Sequence, residues 1–334
     1  MKKITRIAAL LLALSFGLSL AACKGGNASG LTRVTLVLDY VPNTNHTGFY
    51  AAQKLGYYAS EGLDVNIIEP ADNSVTTLVA TGKADFGVSF QEDVTYALTA
   101  EQPLPIKAIA TIIQHNTSGF ASLKSENIAN PKDFEGKTYA GWGSPSEQAV
   151  VQAVMKSSGA DPSKLNFVTS DSLDYTALLG SADLLWIFWA WDGIAAQHAG
   201  LDLNYLELRS IDERLDYYTP VIIASDGLLA DKPDLARKFL AATSKGYQYC
   251  IDEPAKAADI LQEHVDKAYD LSMLVDSQKY LAGKYAEGAA RWGEMKSEVW
   301  DNYTAFMVEN GLIDKAIPAS DCYTNEFLPS APTK

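Results

Sequence analysis

Residues 34–68, VTLVLDYVPNTNHTGFYAAQKLGYYASEGLDVNII, hold two β-rich runs on either side of a run that favours a helix. The first β-rich run spans 34–38, and the polar turn 39–45 leads from it into a predicted helix over 47–60 that ends near Gly62. Residues 65–68 supply the second strand. Strands that alternate with helices indicate a parallel sheet with helices on both faces.

The same alternation continues along the chain and predicts two units of this kind. The first unit goes on with helices and strands at 74–81, 84–89, 92–99 and 106–113. The polar turn 114–119 predicts the first crossing between two lobes. The second unit has strands at 137–140, 165–169, 184–188 and 203–208, and residues 220–223 predict the return crossing. Beyond Pro233 the pattern is almost entirely helical, with helices predicted at 235–251, 255–264, 271–281 and 296–310, and such a tail is expected to pack back on the first lobe.

The composition is that of an ordinary globular protein, and it excludes several functional classes. The 334 residues are 47% hydrophobic and 20% charged, and this length suggests two core-forming units. The formal charge is -14, with no block rich in Lys or Arg. This argues against nucleic acid as a partner, because phosphate binding needs clustered cations. Three Cys are too few for a disulfide framework or a Cys-rich zinc site.

The N-terminus has the pattern of an exported lipoprotein. Lys2, Lys3 and Arg6 form a positive region, and residues 7–20 are uncharged but too short to span a bilayer comfortably. The motif Leu-Ala-Ala-Cys that ends at Cys23 resembles a lipobox, in which the Cys thiol is lipidated. We therefore expect a signal peptide over 1–22, a lipid anchor at Cys23 and a flexible tether over 23–30. The alternative is an ordinary secretory signal with an incidental Cys.

Polar side chains follow the first and third predicted strands, where ligands of doubly wound sheets usually bind. The first group can face a ligand or can supply turn chemistry and a helix cap. In the second group we expect one of Gln91 and Glu92 to face the ligand, whereas Asp93 suits a helix N-terminus. These two groups of candidate ligand-binding residues are Asp39, Tyr40, Asn43, Asn45 and His46, and Ser89, Gln91 and Glu92.

A glycine turn precedes the strongest helix start in the chain. Ser144 suits the N-cap and Pro145 the first helical position, and Glu147 stands where a capping box needs its acid. The backbone N–H groups of this turn can receive an anionic or carbonyl group, so Trp142, Gly143 and Ser144 are further candidates. A dinucleotide fingerprint is not formed, because Ser146 replaces its third glycine.

Residues 186–192 carry the densest aromatic signal. Strand alternation puts Trp186 and Phe188 on one face and Ile187 and Trp189 on the other, so either pair can be core packing. Trp191 and Asp192 follow the strand, where an aromatic ring and a carboxylate suit a flat heterocycle with N–H donors. Asp192 can instead be a helix-start residue. Gln114, Trp186, Phe188, Trp191, Asp192 and Tyr218 complete the candidate ligand-binding residues.

Metal binding and disulfide formation have weaker signals. His46, His115, His198 and His264 are scattered, and no pair has metal-ligand spacing on a common helix. We expect no metal site and no cofactor. Cys250 and Cys322 can pair only if the fold brings them together.

Four segments together resemble the NMT1/THI5-like group of ABC-importer solute-binding lipoproteins, nearest to those that bind a pyrimidine precursor of thiamine. The segments are residues 41–50 (VPNTNHTGFY), 56–65 (GYYASEGLDV), 79–89 (VATGKADFGVS) and 186–194 (WIFWAWDGI). The resemblance runs from about residue 31 to the segment 325–329. In the pyrimidine binders a Glu follows the matching Trp, whereas this chain has the shorter Asp192. Related members bind riboflavin, sulfonates or other small molecules on the same fold.

The resemblance implies an α/β protein with a type II periplasmic-binding-protein fold, in which two doubly wound lobes enclose a ligand cleft. Lobe 1 would comprise residues 31–116 and 224–334, and lobe 2 residues 117–223. The chain would be an extracytoplasmic monomer that captures a small heterocycle, such as a thiamine pyrimidine precursor or riboflavin. It would deliver this ligand to a membrane permease that is powered by a separate ATPase.

The family also suggests an enzyme as the alternative. Eukaryotic pyrimidine synthases that share the family name consume a histidine and use iron and a Cys-rich segment, and the chain is similar to them at Asn45 and His46. Their cysteine segment matches residues 216–220, where this chain has no Cys. The missing cysteines and the lipobox favour a binding protein.

Overall fold

A computed structural model describes residues 30–70, 74–170 and 175–331 of the chain. The predicted signal peptide 1–22, the lipidation site Cys23 and the tether up to residue 29 lie outside the described residues. Within the described ranges no helix is both long enough and apolar enough to cross a membrane.

Lobe 1 is built on a five-stranded sheet with the order β2-β1-β3-β10-β4. Its strands β1, β2 and β3 pair in parallel, and β10 runs antiparallel to both of its neighbours. The strands are β1 (Thr32–Val37), β2 (Leu63–Ile68), β3 (Phe86–Ser89), β4 (Ile106–Thr111) and β10 (Val221–Ser225).

Lobe 2 repeats this plan in a second five-stranded sheet with the order β7-β6-β8-β5-β9. Here β6, β7 and β8 are parallel, and β5 is antiparallel to both neighbours. The strands are β5 (Ser118–Leu123), β6 (Thr138–Gly141), β7 (Asn166–Thr169), β8 (Leu184–Phe188) and β9 (Leu203–Glu207).

The expectation of wholly parallel sheets is therefore wrong for one strand in each lobe. Strands β5 and β10 are the first strands after each crossing between lobes, so no helical crossover within the same sheet sets their direction. The return crossing also lies earlier than residues 220–223, because Val221–Ser225 already forms β10 in the first sheet. We call residues 112–117 and 216–220 the hinge segments.

Helices cover both sheets and form the C-terminal part of the chain. The predicted helix 47–60 is split in two, because Gly56 at the junction has a left-handed φ of 73°. The helices are α1 (Thr47–Lys54), α2 (Tyr57–Ser60), α3 (Val75–Ala80), α4 (Gln91–Thr99), α5 (Pro145–Ser157), α6 (Tyr175–Leu178), α7 (Ile194–His198), α8 (Leu208–Ile211), α9 (Asp226–Asp231), α10 (Pro233–Asp252), α11 (Pro254–Gln262), α12 (Leu271–Ala282), α13 (Ser297–Glu309) and α14 (Ala319–Cys322). Short 3₁₀ turns are Thr44–His46, Lys124–Glu126, Pro131–Phe134, Pro162–Lys164 and Glu213–Leu215, and Trp189–Gly193 is a π-helical turn.

Each lobe has its own apolar core. In lobe 1 the rings of Phe86 and Phe239 stack with centroids 4.0 Å apart, which fixes α10 against the sheet. Helices α1 and α10 approach so closely that a Cβ on Gly246 would lie 2.0 Å from the carbonyl oxygen of Gly48. In lobe 2 Phe120 lies at the centre of an aromatic core.

Helix α13, the last long helix, packs against both lobes. Trp300 belongs to a lobe 1 cluster that includes Tyr218, whereas Tyr303 and Phe306 belong to the lobe 2 core. The expectation that the helical tail packs on the first lobe is therefore incomplete. Cys250 and Cys322 are both buried and unpaired, so they do not form a disulfide.

Candidate functional site

The loops at the carboxyl ends of the parallel strands of the two lobes meet each other. The Ser146 hydroxyl in lobe 2 donates a hydrogen bond of 2.7 Å to Glu92 in lobe 1. Tyr40 in lobe 1 lies close enough to Asp192 in lobe 2 for that carboxylate to contribute to its raised pKa. We call residues 39–43, 90–93, 142–147 and 188–192 the cleft loops. They lie where ligands of doubly wound sheets bind.

The loop after β1 is held by a histidine in a defined tautomer. The backbone N–H of Asn43 donates to Nδ1 of His46 over 3.2 Å, so the ring proton lies on Nε2. This Nε2–H donates to Asp39 over 2.6 Å. His46 is only 1% exposed, and Asn43 caps the turn Thr44–His46 by accepting from the N–H of Asn45. Asn43 and His46 therefore shape the loop, as their alternative interpretation expected.

Tyr40 and Asn45 are the members of this loop with functional groups left over. Burial, followed by the charge of Asp192, raises the pKa of Tyr40 to about 12, so its hydroxyl remains a hydrogen-bond donor at neutral pH. The side-chain oxygen of Asn45 is buried and has no partner among the described residues. Their contact with a ligand stays a prediction.

The loop after β3 presents two neighbouring acids. Glu92 accepts hydrogen bonds from Ser146 and from the Tyr303 hydroxyl, the latter over 2.7 Å. Ser89 donates to Asp93 over 3.2 Å. Burial, with a smaller contribution from Glu92, raises the pKa of Asp93 to about 6. Asp93 is thus a partly buried acid with a perturbed pKa as well as a helix N-terminal residue.

The polar groups of Gln91, Gln114 and Tyr218 bond to backbone outside the cleft loops, which corrects the assignment of these residues as ligand-binding. The Gln91 side-chain oxygen accepts the N–H of Tyr218 over 2.9 Å, and its amide donates to the carbonyl of Val299. The Gln114 amide donates to the carbonyl of Glu294. The Tyr218 hydroxyl accepts the N–H of Lys296 over 2.9 Å. All three side chains tie hinge segments or α4 to other backbone in the protein.

The N–H groups of the glycine turn are already occupied by a carboxylate of the protein. Glu147 accepts from the N–H of Trp142 over 3.2 Å and from that of Gly143 over 2.6 Å. The Tyr139 hydroxyl donates to the same carboxylate over 2.6 Å. Ser144 caps α5 by accepting the N–H of Glu147. The expectation that this turn receives a ligand group is therefore wrong for the N–H groups of Trp142 and Gly143.

The Trp142 ring is available to a ligand, whereas the Trp186 ring is packed in the core. Trp142 is 46% exposed and lies 5.3 Å from Trp186, centroid to centroid. Trp186 is 4% exposed and packs on Phe120 in the lobe 2 core. The strand alternation left this choice open, and packing assigns Trp186 to the core.

Asp192 lies in the π-helical turn that follows β8. Its carboxylate accepts the N–H of Phe188 over 2.9 Å, and burial raises its pKa to about 7. Trp191 packs against Tyr269, with ring centroids 4.6 Å apart, and Phe188 is partly exposed. A π-helical turn is rare and frequently occurs at functional sites. Asp192 closes the turn, as its helix-start interpretation expected, and its charge contributes to the raised pKa of Tyr40, while its contact with a ligand stays a prediction.

Two tyrosines at the site were not among the sequence candidates. Burial, followed by the charges of Asp192 and Tyr40, raises the pKa of Tyr175. Tyr96 lies near Glu92 and Ser146, and burial, followed by the charge of Glu92, raises the pKa of Tyr96 to about 12. Tyr96 follows Glu92 by four residues, so helical spacing could have identified it. Tyr175 had no comparable local signal.

The electrostatics of the cleft loops are one-sided. These loops carry five carboxylates, Asp39, Glu92, Asp93, Glu147 and Asp192, and contain no Lys or Arg. Such a site attracts neutral or cationic groups with N–H donors and repels anions. In the described part of the chain, no group of three His, Cys, Asp or Glu side chains is arranged to hold a metal ion.

Comparisons with known proteins agree with this architecture. The formylaminopyrimidine-binding protein of Halalkalibacterium halodurans is 25% identical over 334 aligned residues, which cover 96% of this chain and 98% of the relative. The riboflavin-binding protein RibY of Chloroflexus aurantiacus is 25% identical, covering 90% and 87%. A 4-amino-5-hydroxymethyl-2-methylpyrimidine phosphate synthase of Legionella pneumophila is also 25% identical, covering 90% and 94%.

Solved structures of periplasmic binding proteins share the fold. The aliphatic sulphonate binding protein SsuA of Escherichia coli has a TM-score of 0.68 at 12% identity, covering 90% of this chain and 95% of that one. The alkanesulfonate-binding SsuA of Xanthomonas axonopodis pv. citri, bound to MOPS, has a TM-score of 0.66 at 11% identity, covering 87% and 98%. The protein family described as NMT1/THI5 like matches residues 43–257 of this chain. The chain therefore belongs to the NMT1/THI5-like family and has the two-lobed fold of periplasmic binding proteins.

Proposed function

We propose that this protein is the extracytoplasmic solute-binding component of an ABC importer and captures a small aromatic heterocycle between its lobes. The observation that carries the proposal is the meeting of the two lobes at the cleft loops, where Ser146 in lobe 2 donates to Glu92 in lobe 1 over 2.7 Å. A ligand that contacts the loops of both lobes favours the arrangement in which the lobes are together, since it binds that arrangement more tightly than an open one. The closed protein then delivers its ligand to a membrane permease with a separate ATPase.

A pyrimidine precursor of thiamine fits the chemistry of this cleft. The exposed ring of Trp142 offers a stacking surface, and Asp192 offers a buried acceptor for ring N–H or amino groups. The similarity to a formylaminopyrimidine-binding protein along almost the whole chain supports the same ligand class. Asp192 is one methylene shorter than the Glu of the pyrimidine binders, so a bridging water or a larger ligand would fill the difference.

Riboflavin is the second candidate ligand. It is also a flat heterocycle with a ring N–H, and RibY is as similar in identity as the pyrimidine binder. A larger ring system would reach the shorter Asp192 without a bridging water. The two candidates therefore differ in how they would contact Asp192, because riboflavin would contact it directly and the pyrimidine through a bridging water.

The synthase alternative does not fit the residues of this chain. His46 is 1% exposed, and both of its ring nitrogens are engaged, by Asn43 and Asp39. The segment 216–220 has no Cys, and Asp216 there accepts from His115 over 2.6 Å in the hinge. These residues do not form the histidine and cysteine arrangement that the iron-dependent synthases use. The protein is accordingly proposed to bind its ligand and not to convert it.

Localisation completes the proposal. Cys23 would carry the lipid that holds a monomeric binding protein at the outer face of the cell membrane. Cys23→Ser should release the protein from the membrane, because the lipid chain would supply the membrane affinity, at about 0.8 kcal/mol per buried CH₂. The ligand affinity should stay unchanged, because Cys23 precedes both predicted lobes. A variant that stayed membrane-bound after a salt wash would contradict the anchor.

The function is tested by identifying the ligand and asking whether it is altered. Mass spectrometry of the small molecule retained after mild purification should show an unmodified pyrimidine precursor or flavin. Calorimetry with 4-amino-5-hydroxymethyl-2-methylpyrimidine, its formylamino analogue and riboflavin then ranks the candidates. Release of a chemically changed product, or a pyrimidine phosphate formed from the protein's own histidine, would establish the enzyme instead.

A further inference from the structure

Glu147 lies in a cleft loop, where its carboxylate accepts backbone N–H groups that otherwise suit an anion. The N-terminus of a helix attracts negative charge through its free N–H groups and its dipole. Helix α5 has 13 residues, and the turn before it directs the N–H groups of Trp142 and Gly143 at the Glu147 carboxylate. Glu147 is 1% exposed, so this carboxylate is enclosed by protein.

The surroundings are shaped around this carboxylate. A Cβ on Gly141 would lie 1.8 Å from one Glu147 oxygen, so only glycine leaves room for it. Gly143 has a φ of 81°, which turns its N–H toward the carboxylate at a backbone conformation that side chains disfavour. The Tyr139 hydroxyl donates to the carboxylate from the adjacent strand. Two glycines and a buried tyrosine thus hold one negative charge in place.

No positive charge in the cleft loops balances this carboxylate. Asp192 follows the neighbouring strand of the same sheet, and Glu92 and Asp93 lie on the loop of lobe 1 that meets α5 through Ser146. An added phosphate or sulfonate would have to displace Glu147 or lie beside it, and like charges brought together in a buried site cost several kcal/mol. Structural neighbours with the same fold nevertheless bind sulfonates, so the fold itself does not exclude anions.

We infer that Glu147 is a built-in anion that determines the charge of the ligand: it fills the anion position of the cleft and excludes ligands that carry a phosphate or sulfonate group. The cleft therefore selects a free heterocycle over its phosphorylated form. This inference deepens the proposed function and rests on it for the location of the ligand, but it makes a separate statement about charge.

Matched ligand pairs test the inference directly. Calorimetry compares 4-amino-5-hydroxymethyl-2-methylpyrimidine with its monophosphate, and riboflavin with flavin mononucleotide, because each pair differs only by a phosphate. The wild-type protein should prefer the unphosphorylated member by at least about 100-fold. Glu147→Gln keeps the shape of the side chain and removes its charge, and it should reduce this preference to less than about tenfold by strengthening phosphate binding. An unchanged ratio in a folded Glu147→Gln variant would overturn the inference.

A matched control separates charge at this site from charge in general. Asp133 is also an acid in the first turn of a lobe 2 element, the 3₁₀ turn Pro131–Phe134, where it accepts the N–H groups of Ala129 and Asn130, but it is only partly buried and lies outside the cleft loops. Asp133→Asn removes the same charge and should leave the preference for the unphosphorylated ligand unchanged. If Asp133→Asn relaxed the preference as much as Glu147→Gln, the specific role of Glu147 would be refuted.

Binding of inorganic sulfate tests the inference without requiring the identity of the ligand. Trp142 and Trp186 adjoin the turn, so their fluorescence should report an anion that enters it. Glu147→Ala should bind sulfate where the wild type and Asp133→Asn do not, and if Glu147→Ala unfolds, Glu147→Gln takes its place. If neither heterocycle binds any variant but sulfate binds only the Glu147 variants, the proposed ligands are wrong and the inference stands. If a folded Glu147 variant binds no sulfate and no phosphorylated ligand, the inference is wrong.

Discussion

The hydroxyl of Ser146 in lobe 2 donates a 2.7 Å hydrogen bond to the carboxylate of Glu92 in lobe 1. The two residues lie in the first turns of α5 and α4, which follow the interior strands β6 and β3 of the two sheets. The second Glu92 oxygen accepts from Tyr303 on α13, the helix that packs against both lobes. This contact therefore joins the two lobes at the cleft itself.

Ser146→Ala should weaken ligand binding by favouring the open protein. The hydrogen bond exists only when the lobes are together, and its loss should cost about 1 kcal/mol, or roughly fivefold in affinity. Calorimetry measures the affinity, and small-angle scattering measures the closed fraction at saturation. Ser163→Ala is the matched control, because Ser163 donates to Asp161 within lobe 2. Equal affinity and equal compaction for Ser146→Ala and wild type would show that the Ser146–Glu92 hydrogen bond does not stabilise the closed protein.

Asp192→Asn should lower the affinity for the heterocycle without unfolding the protein. A charged acceptor for ligand N–H groups contributes about 1.5–3 kcal/mol, which is roughly 10- to 150-fold in the dissociation constant. Asn can still accept the N–H of Phe188, so the π-helical turn should persist. Calorimetry with the pyrimidine and riboflavin side by side checks the effect. Full affinity in Asp192→Asn would leave Asp192 with only its role in closing the turn.

The unliganded protein should lose stability as the pH rises toward neutrality. Burial raises the pKa of Asp192 from 3.8 to about 7 and that of Asp93 to about 6, so the folded protein holds protons that the unfolded chain has released. The stability that these acids contribute is complete below about pH 4 and is lost as the pH passes through the folded pKa values.

Urea unfolding at pH 5 and pH 8 checks this dependence. Asp192→Asn should be more stable relative to wild type at pH 8 than at pH 5, because it removes the cost of a buried charge. Asp234→Asn serves as the control, since the Asp234 side chain is 90% exposed. The same difference at both pH values would show that Asp192 does not titrate in this window.

His46→Gln should destabilise the protein, because it removes the donor that pairs with Asp39 in a buried loop. Leaving the Asp39 carboxylate without its partner should cost about 1–3 kcal/mol of unfolding free energy. His198→Gln is the control, since His198 pairs with Asp276 at the surface and should contribute less than about 1 kcal/mol. A His46→Gln protein as stable as the wild type would show that the contact with Asp39 contributes no stability.

Gln91→Ala should reduce stability and leave the intrinsic ligand affinity unchanged. Both polar ends of this side chain bond to backbone of distant segments, and their loss leaves buried groups unpaired at a cost of about 1–3 kcal/mol. Chemical denaturation measures the first effect, and calorimetry under conditions where the variant is fully folded measures the second. A large loss of affinity under those conditions would indicate that Gln91 contacts the ligand after all.

The chain's alternation of strands and helices was predictable from its sequence, because hydrophobic periodicity and turn residues are local properties. The cap at Ser144 was predictable for the same reason. The position of the cleft loops was also predictable, since parallel strands present their carboxyl ends at one edge of the sheet. The antiparallel direction of β5 and β10 was not, because it depends on where the chain re-enters each sheet.

Only the tertiary structure decided which side chains of these loops remain free for a ligand. Gln91 and Glu92 are neighbours, yet Gln91 bonds to Tyr218 in a hinge segment and to Val299 on α13, while Glu92 accepts from Ser146 of the other lobe. Successive residues on a helix point about 100° apart, and the packing of distant segments decides which direction faces the cleft. The same holds for Glu147, whose carboxylate fills an N–H site that local sequence had assigned to a ligand. The capping-box pattern predicted Glu147 in the first turn of α5. Its carboxylate reaches the N–H groups only because the glycine turn and Tyr139 fold around it.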